Sequence, residues 1–142
     1  MRVIIQPHVV TALAALSIFV GCTEDGTHVS YDNIPWRTDF NQAKDEATAQ
    51  NKPLVIVFTA SWCGPCQLMN KKSWPDPRVE QVATDNYVPV MLDVDTPPND
   101  KIADQYQVQG FPTVIVADGE GTPSKSAHFL SADDLHAFLT TN

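Results

Sequence analysis

Two cysteines separated by two residues, Cys63 and Cys66, are the side chains of this sequence best suited to do chemistry. They follow a continuous apolar run at residues 54–58, which predicts a buried strand, and they precede a segment that predicts a helix. A thiol is a nucleophile only as the thiolate, and the N-terminus of a helix stabilises negative charge. We therefore expect Cys63 at the helix N-terminus with its sulfur exposed. We expect Cys66 one turn later beneath it, close enough to form a disulfide.

The two residues between the cysteines, Gly64 and Pro65, also suit the start of a helix that a partner can approach. Pro65 has no N–H to lose in the first turn of a helix, and its fixed φ favours a helix start. Gly64 has no side chain, so the backbone of a partner can approach closely there. The pair therefore favours a redox site that other polypeptides can reach.

A structural zinc site is the alternative, because a CxxC pair also supplies half of one. Such a site needs about four ligands. No second CxxC is present, and the remaining candidate ligands, which show no ligand-like spacing, are His28, His128, His136 and Cys22. The redox interpretation is therefore favoured, and no metal or other cofactor is expected.

The composition favours a single globular domain. The sequence has 142 residues, of which 43% are hydrophobic, and its formal net charge is −8. A nucleic-acid-binding protein is expected to carry a basic patch, and this acidic sequence lacks that signal. We therefore expect no nucleic-acid partner.

The first 21 residues predict a signal peptide. Arg2 gives a positive start, and the apolar run at 9–20 is too short to span a membrane, which takes about twenty residues. The run ends in Gly21 and Cys22, which resembles the bacterial lipobox, in which a small residue precedes a cysteine that becomes lipidated. Phe19 departs from the usual leucine of that pattern. An ordinary signal peptide with an incidental Cys22 is the alternative.

Export would place the protein where disulfides persist. With Cys22 lipidated, Cys63 and Cys66 would be the free thiols and would pair with each other. Residues 22–33 are polar and predict a flexible tether between the lipid and the domain. Thr23 stands where an aspartate would resemble an inner-membrane retention signal, so an outer-membrane anchor is favoured if the source is Gram-negative.

The rest of the sequence predicts alternating strands and helices. Thr38 or Asp39 can cap a helix that ends at about residue 50, and Asp76 before Pro77 can open one that ends at about residue 85. This order predicts an α/β domain over residues 34–142, with a mixed sheet flanked by helices on both faces. The other predicted elements are helices at 67–72 (with Leu68 and Met69 facing the core), at 101–107 and after a Ser131 cap, strands at 54–59, 87–94, 114–117 and 125–129, and turns around 93–100 and at 118–121.

Two separated motifs resemble those of the thioredoxin family. Residues 62–66, Trp-Cys-Gly-Pro-Cys, resemble its active-site motif, and residues 111–113, Phe-Pro-Thr, resemble a second motif of the family. The resemblance covers residues 34–141 and implies the thioredoxin fold. It also implies that Pro112 follows a cis peptide bond beside the cysteine pair, and that the backbone of Phe111 pairs with an extended substrate segment. The residues that the resemblance places at the substrate, with Trp62 and Phe111 as an apolar rim, are Trp62, Gly64, Pro65, Phe111 and Pro112.

Three further segments, at 51–53, 58–63 and 76–79, look more like the C-terminal thioredoxin-like domain of DsbD than like cytosolic thioredoxin. Those relatives pass electrons to partner proteins outside the cytoplasm. The resemblance therefore implies a thiol–disulfide oxidoreductase with Cys63 and Cys66 as catalytic residues. Because Gly64-Pro65 is the thioredoxin-type dipeptide, it implies a reductant. The expected partners are disulfide-containing or dithiol proteins and a membrane-embedded electron donor, and the chain itself is expected to be a monomer.

Two positions depart from these relatives. Thioredoxin and the DsbD-type domain place a buried aspartate where this sequence has Val57, and the DsbD-type domain places a glutamate where it has Asn70. A carboxylate there is thought to move the proton of the second cysteine. Because burial raises the pKa of a thiol, we expect Cys66 to resolve mixed disulfides more slowly than the second cysteine of thioredoxin does.

Three other functions are alternatives. A lipid-tethered scaffold of the same fold could hold a partner without catalysis, although it would not need the intact cysteine pair. The pair could also act as an oxidant. A thiol peroxidase is disfavoured, because no arginine lies near Cys63 in the sequence.

Overall fold

The computed structural model describes residues 32–141. The predicted signal peptide, Cys22 with its lipid anchor, Thr23, His28 and most of the tether lie outside the described residues. Five helices and four strands follow one another in the described part. Their bounds are α1 Phe40–Gln50, β1 Leu54–Thr59, α2 Gly64–Lys72, α3 Pro77–Asn86, β2 Val88–Asp93, α4 Asn99–Gln105, β3 Thr113–Ala117, β4 Pro123–Ala127 and α5 Ala132–Thr140.

The four strands form one mixed sheet in the order β2-β1-β3-β4. Strand β1 pairs in parallel with β2 and antiparallel with β3, and β3 pairs antiparallel with β4. All six residues of β1 are buried, as the uninterrupted apolar run predicts for a strand covered on both faces. The predicted α/β arrangement is confirmed.

Alternate residues of β1 face two separate halves of the core. Val55 and Val57 lie in a cluster with residues of α2, α3 and α5. Leu54, Ile56 and Phe58 lie in a second cluster with residues of α1 and α4. Helices therefore cover both faces of the sheet, and the period-two alternation of a strand divides the core between them.

Three helices begin at the predicted caps. The side chain of Asp39 accepts a hydrogen bond from the backbone N–H of Gln42 at 2.9 Å. Asp76 accepts one from the N–H of Arg78 at 2.9 Å. Ser131 accepts one from the N–H of Asp134 at 3.2 Å. Each cap satisfies an N–H that the first turn leaves without an intrahelical partner.

Three local predictions are wrong. Leu68 is 48% exposed, because the buried face of α2 carries Cys66 and Met69, and Leu68 lies on the opposite side of the helix. Helix α4 starts two residues earlier than predicted. Strand β4 also starts two residues earlier, because its pairing with β3, rather than any apolar pattern of its own, fixes its position.

The turn around 93–100 forms as predicted. The backbone N–H of Asp95 donates to Oδ1 of Asp93 at 2.9 Å, and Nδ2 of Asn99 donates to the carbonyl oxygen of Asp93 at 2.9 Å. The peptide bond between Pro97 and Pro98 is cis, which the sequence analysis did not predict.

Each outer strand of the sheet is held by another segment. Beside β2, Arg37 donates its N–H to the carbonyl of Pro89 at 2.9 Å and accepts from the N–H of Met91 at 2.8 Å. Beside β4, Nζ of Lys125 donates to the carbonyl oxygens of Phe138 (2.6 Å) and Thr141 at the end of α5. Within residues 32–141, no helix has the length and apolar character that crossing a membrane requires.

Candidate active site

The cysteine pair lies where β1 leads into α2. Cys63 is the N-cap of α2, and its Sγ accepts a hydrogen bond from the backbone N–H of Cys66 at 3.2 Å. Pro65 occupies the first turn. A sulfur in this position receives both an N–H and the positive end of the helix dipole, and both favour the thiolate.

Cys63 and Cys66 form a disulfide, with an S–S distance of 2.12 Å and a Cα–Cα distance of 5.3 Å. Cys66 is 2% exposed and Cys63 is 4% exposed. The expectation of an exposed Cys63 sulfur is therefore wrong for the disulfide form. Both cysteines belong to a small apolar cluster with Ala60, against which Val94 and Phe111 pack, and this packing covers them.

The second motif lies beside the pair. The peptide bond between Phe111 and Pro112 is cis, as predicted. Thr113, the first residue of β3, is in register with Phe58 of β1, so the cis bond lies just beyond the paired strands. Phe111 packs against the apolar cluster that contains Cys63. The fold therefore joins two motifs that are about 45 residues apart in the sequence.

An aromatic surface borders the disulfide. Trp62 is 67% exposed, and its ring lies edge-on to that of Phe111, with the centroids 5.9 Å apart. A Cβ added at Gly64 would meet no atom within 4 Å, so the space over the start of α2 is open. Phe111 is half-buried and Pro112 is buried. We call Trp62, Gly64, Phe111 and Pro112 the rim.

The core under α2 is apolar. The buried face of α2 continues from Cys66 to Met69, and Met69 belongs to the same cluster as Val57 and Trp74. We call Val57, Met69 and Trp74 the floor; none of them is more than 2% exposed. Nε1 of Trp74 has no hydrogen-bond partner in the described part of the chain. The floor therefore contains no side chain that could accept a proton from Cys66.

One polar contact next to this site was not predicted from the sequence. Oγ1 of Thr113 donates to the carbonyl oxygen of Gly110 at 2.7 Å and lies 3.3 Å from Nδ1 of His128. The sequence suggested His128 only as a possible zinc ligand. The turn predicted at 118–121 pairs the two strands that flank it, but the register that brings Thr113 beside His128 depends on the fold.

The described residues offer no metal centre at this site or elsewhere. Across residues 32–141, no three His, Cys, Asp or Glu side chains come together in a way that could hold a metal ion. Of the candidate ligands, Cys63 and Cys66 are bonded to each other, and His128 lies beside Thr113. A disulfide such as the one between Cys63 and Cys66 can be exchanged for two thiols.

Comparison with known proteins agrees with this geometry. A family profile described as thioredoxin-like matches residues 35–119. The chain belongs to the thioredoxin-like family. This thioredoxin-like chain is also similar to the thioredoxin of Thermus thermophilus, with a TM-score of 0.67, 24% identity, and coverage of 75% of this chain and 84% of that one. That likeness shows the thioredoxin fold.

Relatives named DsbD have a higher sequence identity to this chain than the Thermus thermophilus thioredoxin has. The C-terminal domain of Neisseria meningitidis DsbD, solved in the oxidised form, is 28% identical at a TM-score of 0.62, over 72% of this chain and 95% of that one. The thiol:disulfide interchange protein DsbD of Campylobacter jejuni is 35% identical over 109 residues, which are 75% of this chain and 18% of that protein. The bifunctional thioredoxin reductase/thioredoxin of Mycobacterium leprae is 33% identical over 72% of this chain and 24% of that protein. This thioredoxin-like chain thus spans about a fifth of the length of the curated relatives that it matches.

Proposed function

We propose that the chain is a thiol–disulfide oxidoreductase that exchanges the Cys63–Cys66 pair with protein partners outside the cytoplasm, acting as a reductant. One observation carries the proposal. The disulfide lies at the N-terminus of α2, and Phe111, which precedes the cis bond of Pro112, packs against the cluster of both cysteines and against the exposed Trp62. A redox pair is thus combined with a surface on which a polypeptide can dock.

The reaction proceeds in two steps. In the dithiol form, the thiolate of Cys63 attacks a disulfide of the partner, so a Cys63–partner bond forms and the partner's other sulfur leaves as a thiolate that takes up a proton. The thiolate of Cys66 then attacks the sulfur of Cys63. The partner leaves with two thiols, and the Cys63–Cys66 disulfide is restored. The reverse order of steps would oxidise a partner.

Cys63 is assigned as the attacking residue because of its surroundings. Its Sγ receives the N–H of Cys66 at the start of the helix, and the open space over Gly64 lies next to it. Cys66 lies one turn later, on the buried face of α2 with Met69, and its Sγ is bonded to that of Cys63. Cys66 is therefore the resolving residue, which reaches the partner only through Cys63.

The rim provides the partner-binding surface in this proposal. Trp62 and Phe111 supply apolar contacts, and Gly64 and Pro65 leave the approach open. Phe111 packs against the cluster of the two cysteines. An extended segment of the partner would lie along the backbone of Phe111. The expected occupants are proteins that carry a disulfide or two thiols.

Each turnover as a reductant leaves the chain oxidised, so it needs an electron source. The described residues contain a single dithiol pair, and the DsbD-type resemblance supports a membrane-embedded donor. The sequence of residues 1–22 supports export and a lipid anchor on Cys22 at a bacterial membrane. The chain would then act as a monomer on the periplasmic side of that membrane.

The reduction potential of the Cys63–Cys66 pair tests the proposal. The purified protein is equilibrated with glutathione buffers, and the oxidised fraction is measured by thiol alkylation. A potential near that of thioredoxin, about −270 mV, supports a reductant, whereas one near that of DsbA, about −120 mV, supports an oxidant. A pair that stays reduced at every ratio of the buffer contradicts the redox function.

A further inference from the structure

His128 lies beside the segment that carries the cis bond. Val114 of β3 is in register with Ala127 of β4, so the next residues outward, Thr113 and His128, lie opposite each other. Thr113 is 4% exposed, whereas His128 is exposed at the surface. Oγ1 of Thr113 lies 2.7 Å from the carbonyl oxygen of Gly110 and 3.3 Å from Nδ1 of His128.

The hydrogen atoms of this group can be assigned. A carbonyl oxygen carries no hydrogen, so the 2.7 Å contact with Gly110 requires the single hydroxyl hydrogen of Thr113. The hydroxyl therefore has no hydrogen left for His128 and can only accept from it. A hydrogen bond at the 3.3 Å contact therefore requires the proton on Nδ1 of His128, with the imidazole as the donor.

This chain of hydrogen bonds encloses the partner-binding segment. Gly110 and Thr113 flank Phe111 and Pro112, so the hydroxyl of Thr113 closes the segment into a loop and His128 anchors that loop to β4. The ring of Phe111 in turn contacts Trp62, the residue before Cys63. A displacement of the loop would therefore move Phe111 and with it the rim.

We propose that His128 is a positioning residue for partner recognition, which holds the Gly110–Thr113 loop in its partner-receiving shape by donating from Nδ1 to Thr113. The proposal rests on the function proposed above. It assigns His128 no part in the chemistry of Cys63. The loss of this one hydrogen bond should raise KM for a protein disulfide about two- to tenfold and should leave kcat unchanged.

The first test is the protonation of the ring. In ¹⁵N-edited NMR spectra of the purified protein above the titration range of histidine, Nδ1 of His128 should appear as the protonated nitrogen and Nε2 as the unprotonated one. His136 on α5 serves as the reference histidine. An unprotonated Nδ1 on His128 overturns the assignment of the donor.

The second test separates recognition from chemistry. His128→Leu removes the donor, whereas His128→Asn places an amide N–H near the position of Nδ1. Reduction of insulin gives kcat and KM for a protein disulfide, and 5,5′-dithiobis(2-nitrobenzoic acid) reports the reactivity of Cys63 with a small one. We expect His128→Leu to raise only KM for insulin, His128→Asn to restore it to within about twofold, and His136→Asn to match the wild type.

A double variant shows whether His128 acts through Thr113. Thr113→Val removes the hydroxyl, so adding His128→Leu to it should cause no further increase in KM. Additive effects, an unchanged KM in His128→Leu, or a slower reaction of His128→Leu with the small disulfide would each overturn the proposal. If the wild type reduces neither substrate, the proposed function is wrong, and the role proposed for His128 is wrong as well. If the wild type reduces only the small disulfide, the result contradicts only the assignment of the loop to protein partners.

Discussion

The rim and the floor of the active site differ in how closely they resemble the relatives. The rim has the aromatic pair, the open glycine and the cis bond that the family motifs imply. The floor has Val57 where the family resemblance implies a buried aspartate, and Val57, Met69 and Trp74 include no carboxylate. In the proposed function, the rim docks a partner, whereas the floor gives Cys66 no internal base.

The largest effect is expected from Cys63→Ser. This variant should lose insulin reduction completely, because a serine hydroxyl is not ionised at neutral pH and cannot form a mixed disulfide. Cys66→Ser is the matched control: it should still attack but should accumulate the mixed disulfide, which non-reducing electrophoresis detects. If Cys63→Ser supports full biological function in cells, the chain is a scaffold that uses only the rim.

The second effect tests the floor. Val57→Asp should speed the resolution of mixed disulfides at pH 7 about tenfold, because a positioned base assists removal of the proton from Cys66. It should also lower the free energy of unfolding by about 2–4 kcal/mol, because Val57 is 2% exposed and the new carboxylate would be buried. Stopped-flow measurement of the resolving step from pH 6 to 9 checks the rate.

Two further variants test the role of a base near Cys66: Val57→Asn is the control without a base, and Asn70→Glu introduces a carboxylate at a second position. The asparagine is as polar as aspartate but is not a base, so it should not speed the reaction. Asn70 is half-buried on α2, and a glutamate there should speed resolution with less loss of stability. Wild-type rates equal to those of thioredoxin across this pH range, together with no effect of Val57→Asp, would contradict the role given to the floor.

The third effect tests the rim. Trp62→Ala should raise KM for insulin about fivefold by removing aromatic contact area, while the reaction with a small disulfide should stay unchanged. Because Trp62 is 67% exposed, the free energy of unfolding should change by no more than about 0.5 kcal/mol. Leu68→Ala is the control, since Leu68 is also exposed on α2 but lies outside the rim. Equal effects of the two variants would contradict a specific docking role for Trp62.

The smallest effect is expected from Asp76→Asn, a change that lies outside both the rim and the floor. Hydrogen bonds from the Arg78 side chain and backbone lower the pKa of Asp76 from 3.8 to about 2. A carboxyl group with a lowered pKa stabilises the fold above its unfolded pKa, and this contribution is lost as the pH falls from about 4 towards 2. Asp76→Asn keeps a capping side chain but loses the ion pair with Arg78, so its Tm should be slightly below that of the wild type at pH 7.

The difference between Asp76→Asn and the wild type should disappear as the pH approaches 2. Thermal unfolding followed by circular dichroism at a series of pH values measures it. A difference that stays constant down to pH 2 would show that the charge of Asp76 is not its source. Insulin reduction should be the same in both proteins, which would separate general stability from the two regions of the site.

The helix caps and the buried strand were predicted correctly because they depend on residues that are close together in the sequence. The caps at Asp39, Asp76 and Ser131 depend on residues within three positions of one another, and the buried strand β1 depends on an unbroken apolar run. The cis bond at Pro112 came from the family resemblance. The pairing of Thr113 with His128 could not be predicted, because it depends on the register of β4, whose own residues show no apolar pattern.

Errors in predicted burial have a similar cause. The apolar character of Leu68 predicted a core position, but the orientation of α2 is fixed by Cys66 and Met69. The N-terminal position of Cys63 predicted an exposed sulfur, but Phe111 from a distant segment covers it. For both residues, the solvent exposure is determined by tertiary contacts and not by the residue type or its position in the helix.

The segments that hold the outer strands also affect how copies of the chain meet. A free strand edge is a template on which another molecule can add a strand and begin to aggregate. The backbone of Arg37 forms hydrogen bonds with Pro89 and Met91 along the edge of β2, and Pro89 has no N–H that could bind another strand. Strand β4 begins with Pro123 and carries Lys125, whose charge is held at the end of α5. The sheet therefore resists edge-to-edge association, and concentrated samples should stay free of β-rich aggregates.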